Sequence, residues 1–170
     1  MGRSIELNPS LGPAIVPGRT MHELYAHALA AAPEECCGLI TGTETQPFIA
    51  AHRITNTMNK MHHQDPVAFP RDNHEAFYMN EPEVIEVTRT AEDEGWGVTA
   101  VYHSHVGSGV YLSEDDVAFA EHPLFPFPGV AQLVVSVLGK VIEGAGLFLY
   151  DVQRGEFDRT GGHAIEVSDE

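Results

Sequence analysis

The stretch His103-Ser-His-Val-Gly-Ser-Gly-Val-Tyr-Leu-Ser-Glu-Asp-Asp116 decides how this chain is read. It follows Val98-Thr-Ala-Val-Tyr102, a short apolar run rich in β-branched and aromatic residues, which predicts a buried strand running on into the histidines. Side chains at i and i+2 of a strand share a face, so His103 and His105 point together and Ser104 points away. Paired imidazoles at a strand end supply half of a tetrahedral zinc site. Gly107 and Gly109 then mark a loop, and Ser113 followed by Asp116 has the form of a capping box that opens a helix over Val117-Ala-Phe-Ala120. Such a loop can fold Asp116 back towards the histidines. Two histidines and one aspartate leave a fourth position for water, the arrangement of catalytic zinc. Each piece has a plainer reading alone, as a satisfied polar cluster or a simple helix cap; the conjunction carries the argument.

The same residues resemble the motif of the JAMM (MPN+) zinc metallopeptidases: His103-Ser-His105, seven residues, Ser113, two residues, Asp116. That family includes deubiquitinases and bacterial enzymes acting on ubiquitin-like sulfur-carrier proteins. It also carries a distant upstream glutamate just before a Cys-Gly-hydrophobic run. Pro33-Glu-Glu-Cys-Cys-Gly-Leu-Ile40 is similar to that run, and the spacing to the glycine selects Glu35. The resemblance covers roughly residues 14 to 150. It implies an α/β fold, the MPN (JAMM, cytidine-deaminase-like) fold, in which a mixed β-sheet is flanked by helices. It implies Zn2+ as cofactor, held by His103, His105 and Asp116, with Glu35 moving the proton and Ser113 stabilising the oxyanion.

By the same resemblance the substrate partner is a ubiquitin-like or sulfur-carrier protein, cut at a peptide or isopeptide bond of its glycine-ended C-terminus; a homodimer is also compatible. The Tyr111-Leu-Ser113 approach is closer to the sulfur-carrier branch than to the eukaryotic deubiquitinases. Val106 stands where many relatives have proline, a position that shapes the loop and is not a ligand. The competing class is a non-catalytic MPN scaffold that dimerises with a partner. Such scaffolds typically lack the ligands, whereas here all the chemical positions are filled, and metal content discriminates the two. No His-Glu-x-x-His helix and no Cys-x-x-Cys pair is present, so neither a zincin nor a nucleobase-deaminase pattern is met.

Composition narrows the classes further. At 170 residues the chain suits one domain with a real core. It has 43% apolar residues and no run able to span a membrane, so no membrane partner is expected. Nine Lys and Arg against 25 Asp and Glu leave a net charge of −16, which argues against nucleic acid. The two cysteines, Cys36 and Cys37, are adjacent and poorly placed to bridge each other, which fits a reducing cytoplasm. Either thiol could be a ligand or nucleophile, but apolar neighbours favour a small residue packed in a strand. Met1 to Glu6 has no apolar signal core, so a cytoplasmic location is expected.

Around the motif, Pro9, Gly12, Pro13, Pro17 and Gly18 predict an irregular lead-in, with Ala14-Ile-Val16 a short edge strand. Thr20 and Glu23 read as a capping box for a helix that Pro33 ends and that delivers Glu35 to the site. Cys36 to Thr41 and Phe48 to Thr55 read as paired strands. Residues 56 to 75 read as a long loop over the sheet, able to cover a substrate groove. His62, His63 and His74 there lack spaced partners for a second metal site. Pro82 to Glu94 predicts a helix, stopped by Gly95-Trp-Gly97. Residues 122 to 129 form a proline-broken connector, followed by strands over Val130 to Leu138 and Gly144 to Val152. The expected domain is 1–153. Residues 154–170, with Gly161-Gly162, are expected to be a polar, fraying tail.

Overall fold

The apolar run before the histidines forms the strand β5 in a computed structural model that describes residues 3–169; Met1, Gly2 and Glu170 lie outside the described residues. In chain order the strands are β1 (Ile5–Glu6), β2 (Ala14–Pro17), β3 (Cys37–Gly42), β4 (Ala50–Ile54), β5 (Gly97–Val106), β6 (Tyr111–Leu112), β7 (Ala131–Leu138), β8 (Val141–Phe148), β9 (Tyr150–Asp151), β10 (Glu156–Phe157) and β11 (His163–Ser168). The helices are α1 (Gly18–Ala31), α2 (Met58–Gln64), α3 (Glu81–Asp93) and α4 (Glu114–Ala120). Seven strands form one mixed sheet in the order β2-β11-β8-β7-β5-β3-β4. β5 pairs parallel with β7 and antiparallel with β3, so the histidine strand has a neighbour on each side. This is the expected α/β arrangement of a mixed sheet flanked by helices.

Both faces of the central strands are covered, which is why β7 (AQLVVSVL) reads as a nearly unbroken apolar run and not as an alternation. Ala100 and Tyr102 of β5 pack with Leu133 and Val135 of β7 against Met21, Leu24 and Ala28 of α1. On the opposite face Val101 joins Leu39, Phe77 and Phe125, with Val84 and Val87 of α3 packed against them. A third cluster puts Val117 and Ala120 of α4 on Val134 and Phe148. The histidines therefore emerge on the face that α3 and α4 share. Gly38 follows from this packing: it sits opposite Tyr102, and a Cβ there would run into the tyrosine ring and the His52 carbonyl.

Several sequence expectations need correction. Thr20 is no N-cap: α1 starts earlier, at Gly18 after Pro17, and the Thr20 hydroxyl donates to the Phe48 carbonyl oxygen at 2.8 Å while Glu23 pairs with Arg53 at 2.6 Å. The 56–75 segment is not a plain loop, since it contains α2 and is tied down by asparagines described below. The lead-in contributes β1, which pairs with β6 just before Ser113. The strand expected from Gly144 begins at Val141 and ends at Phe148.

The largest correction concerns the boundary at 153. β11 is an inner strand of the main sheet, parallel to β2 and antiparallel to β8, so residues 154–169 belong to the domain. The Gly161-Gly162 pair is held too: Gly162 N donates to the Glu6 carbonyl oxygen and Asn8 N donates to the Gly162 carbonyl oxygen, each at 2.9 Å. β11 was hidden because its burial pattern, half-buried alternating with exposed, gives no apolar stripe; backbone pairing on both edges holds it.

Candidate metal centre

The end of β5 carries His103 and His105, both buried, and α4 brings Asp116 onto them. His103 Nε2 and His105 Nε2 lie 3.2 Å apart, and each lies 3.1 Å from Asp116 Oδ2. Four ligands at about 2.0–2.1 Å around zinc would be separated by about 3.3 Å, so this near-equilateral triangle has the size of one face of a tetrahedral site. Two ring nitrogens and a carboxylate oxygen converging on one point is a donor set that a cation would satisfy. Among the described residues these three form the one cluster of histidine, cysteine, aspartate or glutamate side chains with metal-site geometry.

The surroundings set each ligand. Ser113 caps α4: its Oγ accepts from Asp116 N, and Ser113 N donates back to Asp116 Oδ2, both at 3.0 Å. The capping box read from sequence is thus also the device that orients the carboxylate. Burial alone would raise the Asp116 carboxyl, but the His103 charge and the hydrogen bonds from both histidines outweigh it and hold the carboxyl well below its ordinary value. Gly107, with φ 81°, makes the turn after β5, and Gly109 offers its carbonyl to His105 Nδ1 at 3.2 Å. With a metal bound, a proton on Nδ1 would leave the Nε2 lone pair free to serve as a ligand in place of the contact with Asp116. Phe77 stacks on His103 at 4.6 Å and fixes that ring by packing; His103 Nδ1 has no hydrogen-bond partner among the described residues. Val106 simply ends β5, in register with Val137 of β7.

Glu35 reaches the same place from another strand. It immediately precedes Cys36 and β3, where Cys37 is in register with His103, and Ser104 locks the junction by accepting from Cys36 N at 2.8 Å and donating its own N–H to the Cys36 carbonyl oxygen at 3.1 Å. Glu35 is 7% exposed, and its Oε1 has no hydrogen-bond partner among the described residues. Burial first, then the negative charge of Asp116, pushes it up to about 9, with Arg71 opposing and Glu75 adding. A dication held by Asp116 would cancel that repulsion and draw the carboxyl towards the range where it can serve as a base near neutrality.

The backbone of Glu35 is clamped by the 56–75 segment. Glu35 N donates to the Asn73 carbonyl oxygen at 2.7 Å, and Asn56 Nδ2 donates to the Glu35 carbonyl oxygen at 3.0 Å. Asn56 also donates to the Ala76 carbonyl oxygen and accepts from Met58 N and Tyr78 N, and Asn73 and Asn59 exchange backbone-to-side-chain bonds at 2.7 and 2.9 Å. Sequence reading missed Asn56, Asn73, Ser104 and Phe77, because none stands at a fixed offset from the motif. The other histidines stay apart from it: His62 Nδ1 is 2.6 Å from the Phe69 carbonyl oxygen, and His74 lies 3.4 Å from Asp72. Cys36 and Cys37 are buried, free and packed, and burial pushes both thiols up, Cys36 to about 11.

The family model of prokaryotic homologs of the JAB domain matches residues 17–150. The chain belongs to that family. Two solved structures share its fold. A protein from Desulfitobacterium hafniense, known from a solution structure, aligns with a TM-score of 0.63 at 20% identity, covering 92% of this chain and 93% of its own. One from Salinibacter ruber aligns with a TM-score of 0.55 at 26% identity, covering 85% and 86%. A JAB1/MPN domain protein from Archaeoglobus fulgidus aligns at 16% identity with a TM-score of 0.47, covering 92% and 98%. No curated protein matches the chain. No helix among the described residues is long and apolar enough to cross a membrane.

Proposed function

We propose that this JAB domain is a zinc-dependent metallopeptidase that hydrolyses a peptide or isopeptide bond at the glycine-ended C-terminus of a ubiquitin-like or sulfur-carrier protein. The observation that carries the reading is the convergence of His103, His105 and Asp116 within 3.2 Å beside the buried Glu35, whose Oε1 has no hydrogen-bond partner among the described residues. Zinc held by the three would supply a Lewis acid and a water whose pKa is lowered towards about 7. Glu35 takes a proton from the attacking water and passes it to the leaving amine; its burial keeps the proton from bulk solvent between the two transfers. Ser113 Oγ uses a lone pair on Asp116 N, so its hydroxyl hydrogen stays available for the carbonyl oxygen as charge builds there.

The test pairs metal content with turnover. Purified chain and His105→Ala are assayed for zinc by elemental analysis, beside cleavage of a reporter fused to a Gly-Gly-ended carrier tail, with and without Glu35→Gln. Stoichiometric zinc that His105→Ala loses, with cleavage that Glu35→Gln loses, supports the peptidase. A chain that stays metal-free after zinc addition sinks it, and a non-catalytic JAB scaffold takes its place.

A further inference from the structure

A cavity of about 200 Å³ opens directly against Asp116, walled by Phe69, Arg71, Phe77, Tyr78 and Phe119. The aromatic walls brace one another: Phe69 meets Tyr78 edge-on at 5.7 Å, Phe77 meets Phe119 edge-on at 5.6 Å, and Tyr78 lies tilted against Phe119 at 6.4 Å. The space is therefore preformed, and it adjoins the catalytic groups because Phe77 also stacks on His103. Its size and lining suit one apolar side chain of moderate bulk.

Arg71 is the one Lys or Arg among the residues lining this cavity. It bridges two elements, with Nη1 donating to the Glu75 carbonyl oxygen at 3.0 Å and lying 3.4 Å from Asp115 Oδ2, and its side chain is 33% exposed. A guanidinium has five N–H donors in a planar fork, so donors remain open for a carboxylate. The charge of Arg71 also reaches Glu35. In a chain of net charge −16, and in a cavity that Asp115 and Asp116 also line, Arg71 is the positive group an entering carboxylate would meet.

We infer that this cavity holds the residue on the leaving side of the cut bond, with Arg71 as the specificity-determining group that takes its free α-carboxylate. The bond cut is then the one before a C-terminal apolar amino acid, and not an isopeptide bond to a lysine. This rests on the peptidase reading above and narrows it. In the hydrolysis, the water oxygen bonds to the glycine carbonyl carbon, the C–N bond breaks, and the water proton moves through Glu35 to the amine. The products are a shortened carrier with a new carboxylate and one free amino acid. A lysine side chain in an isopeptide conjugate is followed by more protein and presents no carboxylate to Arg71.

The experiment measures binding separately from turnover. Zinc-loaded Glu35→Gln is titrated calorimetrically with two N-acetylated peptides ending Gly-Gly-Leu, one with a free carboxylate and one with a carboxamide. The acid binds about 10-fold or more tightly than the amide. Adding Arg71→Gln brings the ratio to about 1 with little change for the amide, and adding Asp115→Asn instead, which removes the competing carboxylate, raises the ratio. A purely structural role of Arg71 on the Glu75 carbonyl would weaken both peptides together and leave the ratio standing. Equal binding of acid and amide, a preference that survives Arg71→Gln, or no binding of either peptide at millimolar concentration overturns the inference. Preferential acid binding with no cleavage by the parent chain would sink the peptidase and leave the subsite, whereas cleavage of both peptides without preference would do the reverse.

Discussion

The two arms of the candidate centre are built in opposite ways. One arm, His103 to Asp116, is a single short run in which a strand, a turn and a capped helix place three ligand atoms by local rules. The other arm places one carboxyl, Glu35, and needs Asn56 and Asn73 from a distant part of the chain to hold its backbone, while Ser104 of the first arm ties down the next residue, Cys36. The first arm can be written into a motif. The second is a network of side-chain amides built on the buried Asn73 and the half-buried Asn56, where a buried group left unpaired costs about 1–3 kcal/mol. Changes in the first arm should therefore act on metal, and changes in the second on proton transfer alone.

The largest effect is expected at the ligands. His105→Ala removes one corner of the triangle, and its zinc affinity should fall by more than about 100-fold, beyond the loss typical of outer-shell changes, with cleavage lost alongside. Glu35→Gln should keep zinc and still lose about 100- to 10,000-fold in kcat. Elemental analysis and turnover on the same samples separate the two arms; zinc lost in Glu35→Gln would show that the carboxyl belongs to the metal shell and break the division.

Ser113→Ala tests the residue that belongs to both roles. Losing the oxyanion donor should lower kcat by about 100- to 1,000-fold. Losing the cap should cost about 1 kcal/mol and loosen the hold on Asp116, since the side chain accepts from Asp116 N. Thermal unfolding gives the second effect and cleavage the first. A variant that loses stability but keeps its kcat would reduce Ser113 to a helix cap.

A smaller effect is expected from Asn56→Ala. It strips partners from Met58 N, Tyr78 N and the carbonyl oxygens of Glu35 and Ala76, so unfolding should become easier by about 2–3 kcal/mol. Zinc content should not change, and kcat should drop about 10-fold as Glu35 loses its placement. Equal losses of zinc and kcat would mean that the clamp supports the whole centre and not the base alone.

The same contrast explains what could be read from sequence. β5, the His-x-His face and the Ser113–Asp116 capping box were legible because a period of two and a cap offset are rules of neighbouring residues. The α3 helix was legible from Pro82 in its first turn and the face of Val84, Val87, Thr88 and Ala91, whereas its Asn80 cap was not read. The 56–75 segment was not, since Met58 is the one residue of α2 that is buried, leaving no apolar stripe to count. β11 was illegible for the related reason that its side chains stay largely in solvent while its backbone pairs on both edges. Thr20 misled because a threonine followed by glutamate fits a capping box equally well inside a first turn, and only the carbonyl of Phe48 shows where its hydroxyl goes.

The mildest test of the Glu35 arm needs no substrate. Burial raises the folded-state carboxyl from 4.5 to about 9, so between those values the folded chain binds more protons than the unfolded one. For a raised carboxyl, stability is fully present below the unfolded value and falls as pH climbs towards the folded one. Gln at this position has the same shape and no charge to bury. Metal-free Glu35→Gln should therefore match the parent in melting temperature near pH 4.5, gain on it steadily through pH 7, and level off above about pH 9. Loading zinc should shrink the gap, because a dication beside Asp116 offsets the charge that Glu35 resists acquiring. A gap that stays constant with pH would mean that the carboxyl is solvated in the metal-free chain, and that the clamp of Asn56 and Asn73 holds the backbone of Glu35 without holding its side chain in the dry site.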